Sequence, residues 1–360
     1  LDVIRMMWLF FFVNVLLLQA RFATSDRFCE AEENVDYSSR TLSILGFDSR
    51  SRNSSETKMR AYGRRFGVGV KEIIVLGLEK NKTWMPLRFF NKPLHYSIWI
   101  NKTILELEEA GKDPNDSYAL IIDTDTIVNA RPMKEVWKKF DCARKGKPIL
   151  MGGETGCWYG LQCRQRHIDR YYDPLGPTLN SFINSGYIMG TLPALQLLYS
   201  FIDNNYDYLR RMVHWVNWFC DQSAYTLFYG RHRNLIQIDD YQQMFGTLSV
   251  FIPHGGSHSY STCRHPETFE VMRNCSEFLY DMDTFLIDPD TCVMSTTMTK
   301  LTKWNEGLRP YLSQMSPDPI IFHGNAKGKI VAKTLKPYLN KCLHKKYNIE
   351  SFDGKFVLDR

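Results

Sequence analysis

Residues 118–130 read YALIIDTDTIVNA, an apolar run from Tyr118 to Ile122 that ends in two aspartates with one threonine between them. A continuous apolar run of this kind suits a strand covered on both faces, which leaves Asp123 and Asp125 where the chain exits a sheet. Two carboxylates this close repel each other and require a compensating cation or full solvation. Their oxygens can hold a hard divalent cation, and such a cation helps a diphosphate to leave. The plainer reading makes Asp125 the start of a turn and Asp123 a cap, because a lone Asp-x-Asp is a weak motif.

A second stretch, IIFHGNAKGK (320–329), runs from an apolar strand into His323, then Gly324, Asn325 and Lys329. A neutral imidazole can complete a manganese-type ligand set, and a lysine supplies a point charge to phosphate. A basic surface turn is the alternative. Three further stretches, GGETGCWYG (152–160), SFINSGYIMG (181–190) and WFCDQSAYTLFYG (218–230), carry polar groups suited to a sugar. Asn184, Ser185 and Gly186 are expected just before a strand, with amide and hydroxyl groups for sugar hydroxyls. Asp221 and Gln222 open an expected helix, where Asp221 could equally be a cap. Trp158 could stack on a sugar, although an isolated tryptophan more often fills a core.

The elements that must position these residues are legible in outline. TLSILGF (41–47), KEIIVLGLE (71–79), KPILMGG, GYIMG, NLIQID and PIIFHG read as short strands. WINKTILELEEAGKD has helical spacing at Ile100, Ile104 and Leu107, followed by a glycine stop. In RPMKEVWKKF, Pro132 suits a first helical position, and Met133, Val136, Trp137 and Phe140 share one face. Alternating strands and helices predict an α/β sandwich with a largely parallel sheet, whose ligands bind beyond the carboxyl ends of the strands. Residues 249–318, rich in Ser, Thr, Pro and Cys, read as an insertion held by disulfides or a second lobe for an acceptor.

With 360 residues and 44% hydrophobic content the chain can bury a sizeable core. A net charge of +6, from 45 basic and 39 acidic residues spread along the chain, is too mild for a nucleic-acid binder and suits an anionic small substrate. Arg5 precedes the apolar run Met6–Leu18, and Ala20 and Ala23 follow it. This run is short for a bilayer span, so residues 1–24 are expected to be a cleaved signal peptide rather than an anchor, with membrane contact only in the latter case. Sequons at Asn53, Asn81, Asn101, Asn115 and Asn274 and nine cysteines agree with an endoplasmic reticulum or Golgi address. His254, His258, Cys263 and His265 invite a zinc reading, but their spacing matches no common structural site, and a loop with one disulfide cysteine is preferred.

Taken in order, the quoted stretches, with IIVLGLEKNKTW near the start and IDDYQQMFGTL late, resemble the glycosyltransferase domain of the procollagen lysyl hydroxylases and related collagen glucosyl- and galactosyltransferase-like proteins. The likeness runs from about residue 40 to about residue 340. It implies a GT-A, Rossmann-like sandwich over 25–345, with the insertion 249–318 and a tail at 346–360. It also implies a UDP-sugar donor, a protein or glycan acceptor, and Mn2+ held by Asp123, Asp125 and His323. Asn325 and Lys329 would meet the diphosphate, and Ser43 to Gly46, including Leu45, would lie near the uridine. Trp158, Asn184, Asp221 and Gln222 would face sugar and acceptor. The family separates its two aspartates by two residues and carries an acidic run before Asp-Gln, whereas this chain has one residue and WFCDQ. Nothing in the chain resembles the family's hydroxylase domain, so hydroxylation is not expected. The rival reading is a secreted binding protein on the same scaffold that no longer turns over.

Overall fold

The computed structural model describes residues 35–47, 70–76, 88–123, 126–129, 131–157, 163, 165–172, 178–209, 211, 221–253, 261–280, 282–296, 315–324, 328–346 and 355–358. Residues 1–24, expected to be a targeting segment, lie outside them. Among the described residues no helix is long and apolar enough to cross a membrane.

The strands are, in chain order, β1 (Thr41–Phe47), β2 (Val70–Leu76), β3 (Ser117–Asp123), β4 (Thr126–Val128), β5 (Ile149–Glu154), β6 (Gly156–Cys157), β7 (Phe182–Thr191) and β8 (Ile236–Asp239). They continue with β9 (Phe245–Thr247), β10 (Ser249–Pro253), β11 (Ser261–Arg264), β12 (Val271–Leu279), β13 (Phe285–Ile287), β14 (Met294–Thr296), β15 (Ile321–His323) and β16 (Lys355–Leu358). The helices are α1 (Arg88–Glu109), α2 (Met133–Arg144), α3 (Gln165–Tyr171), α4 (Leu192–Asn204), α5 (Asp221–Arg231) and α6 (Gly328–Lys346).

A seven-stranded sheet in the order β16-β2-β1-β3-β7-β5-β8 forms the middle layer. All its pairings are parallel except the two made by β7, which runs against both β3 and β5. The mostly parallel α/β sandwich expected from the alternation of elements is therefore present. Alternate residues of each strand feed opposite layers, as the pleat requires. Leu45, Ile74, Ala119, Ile121 and Ile188 pack with Tyr96, Trp99, Ile100 and Ile104 of α1, and with α4 and α5. Leu42, Ile44, Ile73, Leu120 and Met189 pack with Val136, Trp137 and Phe140 of α2. The apolar face read from RPMKEVWKKF is thus the buried one. Pro132 differs from expectation: with ψ of 142° it is the N-cap ahead of α2 rather than its first residue.

Two further departures concern placement. The strand in PIIFHG does not join the main sheet; β15 sits between β4 and β9 in a three-stranded sheet of its own. The chain's last described segment, expected to be a tail, pairs in parallel with β2 as the edge strand β16.

The segment 249–318 packs onto the main body at two places. Its strands β10, β12 and β11 extend to β6, and Val250, Phe285 and Met294 share a core with Ile127, Phe322 and Leu335. Disulfides Cys263–Cys275 and Cys292–Cys342 join β11 to β12 and the segment to α6, while Cys157–Cys163 closes a short loop. Cys142 is also disulfide-bonded. With Cys263 in a disulfide, the zinc reading of its neighbourhood lacks its thiolate, in line with the preferred disulfide loop.

The turn from β8 to β9 is organised by a buried carboxylate. Asp239 accepts backbone N–H bonds from Gln243, Met244 and Phe245, and Gln242 takes a left-handed conformation with φ of 53°. Burial pushes the Asp239 carboxyl up to about 6 despite those three donors, which pull it down. A raised folded value means that this group's contribution is present below the unfolded value and is lost as pH rises through about 6. We therefore expect the melting temperature of wild-type protein, relative to Asp239→Asn, to fall between about pH 4 and about pH 7. A relative melting temperature that rises over that range would show the three N–H bonds outweighing burial.

Candidate functional site

The site forms where β3 and β15 end and the antiparallel β7 begins. Thr126 Oγ1 donates to the carbonyl of Asp123 at 2.8 Å, tying the start of β4 to the end of β3. In the small sheet, β4 pairs antiparallel with β15 so that Thr126 stands opposite His323. That register carries the imidazole to the end of β3. Asn129 anchors the arrangement from behind, donating to the carbonyls of Met294 and Pro319 and accepting from the N–H of Met294.

The second positioning device is an irregularity in β7. Its pairing with β5 jumps from Met151–Ile188 to Gly152–Asn184, so Ser185, Gly186 and Tyr187 have no partners on β5. Asn184, Ser185 and Gly186 thus lie inside a strand, not before one, and the jump turns them toward the site. Gly186 lies so close to His323 that a Cβ on it would stand 2.2 Å from the ring. Tyr187 meets the same ring edge-on, with centroids 5.2 Å apart.

Three charged side chains meet in this space. Lys92, on the buried face of α1, donates to Asp123 Oδ1 at 2.7 Å and lies 3.0 Å from Asp221 Oδ2. His323 Nε2 stands 3.6 Å from the other oxygen of Asp123. Burial would raise the Asp123 carboxyl, but the Lys92 ammonium and the His323 imidazole outweigh it and hold it far below the usual carboxylate range. Burial likewise works against the Lys92 charge, yet Asp123 and Asp221 raise its value well above that of an ordinary lysine. Both groups are therefore ionised at neutral pH.

Asp221 opens α5 and uses its two oxygens differently. Oδ1 accepts from the Gln222 N–H at 3.0 Å and from Ser185 Oγ at 3.2 Å. Oδ2 is buried without a hydrogen bond, facing the Lys92 ammonium. Oδ1 thus engages the start of α5 through the adjacent N–H, while Oδ2 faces the ammonium. Beside it, the buried Glu154 gathers two amides: Asn184 Nδ2 donates to Oε2 at 2.8 Å, and Gln222 Nε2 to Oε1 at 2.7 Å.

The structure therefore brings together Asp123, His323, Asn184, Asp221 and Gln222. It does not bring in Ser43 or Leu45. Ser43 pairs with Ala119, four residues short of Asp123 and about 13 Å along the strand, and the Leu45 side chain is in the core. Gly46 pairs with Ile122 and its neighbour Phe47 with Asp123, so the end of β1 borders the site. Lys329 is exposed on the first turn of α6. Asp125, Trp158 and Asn325 lie outside the described residues.

Two site residues escaped the sequence reading. Lys92 shares a helix face with Tyr96, Trp99, Ile100 and Thr103, and a charge on an otherwise buried face was the available signal. Glu154 ends a strand buried at every position, the same pattern that drew attention to Asp123.

Among the described residues no group of three or more His, Cys, Asp or Glu side chains is arranged to hold a metal ion. Two of the expected ligands nevertheless fit one. Ligand atoms each about 2.1 Å from a shared ion stand roughly 3 to 3.5 Å apart, close to the 3.6 Å between Asp123 Oδ2 and His323 Nε2. His323 Nδ1 is buried without a hydrogen bond, so no partner commits the ring to keeping its proton on Nε2.

No protein-family model matches the chain, and no curated protein matches it. Among solved structures, it is similar to mouse xyloside xylosyltransferase 1 in its apo form, at 12% identity and a TM-score of 0.37, over 80% of this chain and 98% of that one. A glycosyltransferase involved in glycosylating the major capsid of PBCV-1 is similar at 15% identity and a TM-score of 0.34, over 58% of this chain and 85% of that one. At these scores the likeness bears on neither activity nor substrate.

The close approach of Gly186 to His323 has a measurable consequence. Gly186→Ala should displace the imidazole from Asp123 and cost about 1–3 kcal/mol of stability, as overpacking does. Denaturant unfolding with imidazole NMR checks this; unchanged stability and an unmoved His323 signal would show that the site can absorb a methyl group.

Proposed function

We propose that the chain is a metal-dependent glycosyltransferase of the GT-A type, related to the collagen glucosyl- and galactosyltransferase-like proteins. In this reading it moves a hexose, glucose or galactose, from a UDP-sugar to a hydroxyl of a protein or glycan in the secretory pathway. The observation that carries the proposal is the meeting of Asp123, His323, Lys92 and Asp221 at strand ends, with Asn184 and Gln222 oriented beside them by Glu154. Such a cluster offers cationic groups for a diphosphate and amides and carboxylates for a sugar.

In the reaction, the acceptor oxygen bonds to the anomeric carbon, the bond from that carbon to the diphosphate breaks, and UDP leaves with the electron pair. Asp123 and His323 would hold the divalent cation, with Asp125 as the third ligand that the family resemblance implies. When bound, the cation supplies positive charge to the leaving diphosphate. Asp221 is steadied through Oδ1 by Ser185 and the first turn of α5, and its Oδ2 would hydrogen-bond the sugar or take the acceptor's proton on leaving the Lys92 ammonium that it faces here. Gln222, whose N–H group is engaged by Glu154, presents its carbonyl oxygen as an acceptor for a sugar hydroxyl. Catalysis is then mainly positioning and electrostatics.

The binding-only reading has one observation in its favour: Lys92 already pairs with both carboxylates. Turnover separates the two. Purified protein with UDP-glucose or UDP-galactose should release UDP, and calorimetry should find UDP binding dependent on a divalent cation, with Mn2+ the most effective. Equal UDP affinity in EDTA would remove the metal from the proposal. Asp221→Asn, which keeps an oxygen for the helix cap, should leave UDP binding and melting nearly unchanged while lowering the transfer rate on the order of a hundredfold or more. Rates within about threefold of wild type would make Asp221 structural.

A further inference from the structure

Lys92 takes no step of its own in the mechanism above, yet its contact with Asp123, at 2.7 Å, is as short as any in the site. Its ammonium is buried, donates to Asp123 Oδ1 at 2.7 Å and stands 3.0 Å from Asp221 Oδ2. Asp123 is therefore shared, with an ammonium on one oxygen and an imidazole 3.6 Å from the other. One turn further along α1, the buried hydroxyl of Tyr96 has no hydrogen-bond partner, and among the described residues the ammonium's polar contacts are the two carboxylates.

We propose that Lys92 is a resident cation that competes with the divalent metal for Asp123 and links the metal to Asp221. This rests on the reading of Asp123 and His323 as metal ligands. A metal arriving at Asp123 Oδ2 draws on the same carboxylate charge that holds Lys92, and the two cations repel each other across it. As its bond to Asp123 weakens, Lys92 keeps its second partner, Asp221. Without metal, the ammonium stands between the two carboxylates and offsets their mutual repulsion, leaving one negative charge in excess. The site therefore has two charge states, one centred on Lys92 and one on the metal, and Asp123 belongs to both. Lys92 acts on the reaction through these carboxylates and is a positioning residue.

Calorimetric titration of Mn2+ alone into metal-free protein tests this without any turnover. Lys92→Met removes the competitor and should tighten Mn2+ binding by on the order of tenfold or more. This variant removes the ammonium between two carboxylates and can fail to fold. The double variant Lys92→Met/Asp221→Asn removes one charge of each sign and should fold, again binding Mn2+ more tightly than wild type. Binding seen only in the variants also supports the proposal. Equal or weaker Mn2+ affinity in the folded variants overturns it. If wild type binds Mn2+ and the variants do not improve on it, the competition fails while the metal reading stands. If none of the three proteins binds Mn2+, both fail.

Discussion

One carboxylate, Asp123, sets the terms for the rest of the site. It ends a strand buried at every preceding position, so its charge has to be met within reach of a single side chain. Lys92 meets it from the helical layer and His323 from the small sheet. Each needs its own support: Lys92 a helix held against the sheet by Tyr96, Trp99 and Ile100, and His323 a strand fixed by its pairing with β4. Asp123 is itself half-buried, so the larger cost of removing Lys92 falls on the buried Asp221, which would lose the cation facing it.

The antiparallel β7 gives the site its second dimension. A parallel strand in that position would send its carboxyl end the same way as β3, whereas β7 enters from the opposite direction and passes the site near its start. The jump in its pairing with β5 then frees Ser185 and Gly186 from the ladder. One supplies a hydroxyl to Asp221 and the other a surface flat enough for an imidazole. Local irregularity in a strand next to a site is a familiar way to re-aim side chains.

Most of the framework was legible in the sequence because it follows from periodicity. The apolar runs of β1, β3 and β5 and the stripe of α2 are long enough for burial to dictate the element. Asp123 and His323 stood out for a related reason: each ends an apolar run, where a polar group must have a purpose. Lys92 was hidden by the opposite circumstance. Helical spacing places it on the face of Tyr96, Trp99, Ile100 and Thr103, but nothing in FFNKPLHYS shows that two carboxylates meet it there. The register jump in FINSGYIMG was equally invisible, because pairing depends on a partner strand about thirty residues earlier in the chain. Ser43 and Leu45 were assigned from resemblance to a strand end, and the pleat and register instead put one mid-strand and the other in the core.

The residues that meet at Asp123 are far apart along the chain, at positions 92, 123, 221 and 323. During synthesis, which runs from the amino end, helix α1 and strand β3 leave the ribosome long before β15 exists. For that interval β4 has no partner from β15, and the end of β3 stays open to water. Contacts of such long range are slow to form because the intervening chain must first be brought together. The imidazole is consequently the last of these four groups to reach the end of β3, made only after Lys92, Asp123 and Asp221.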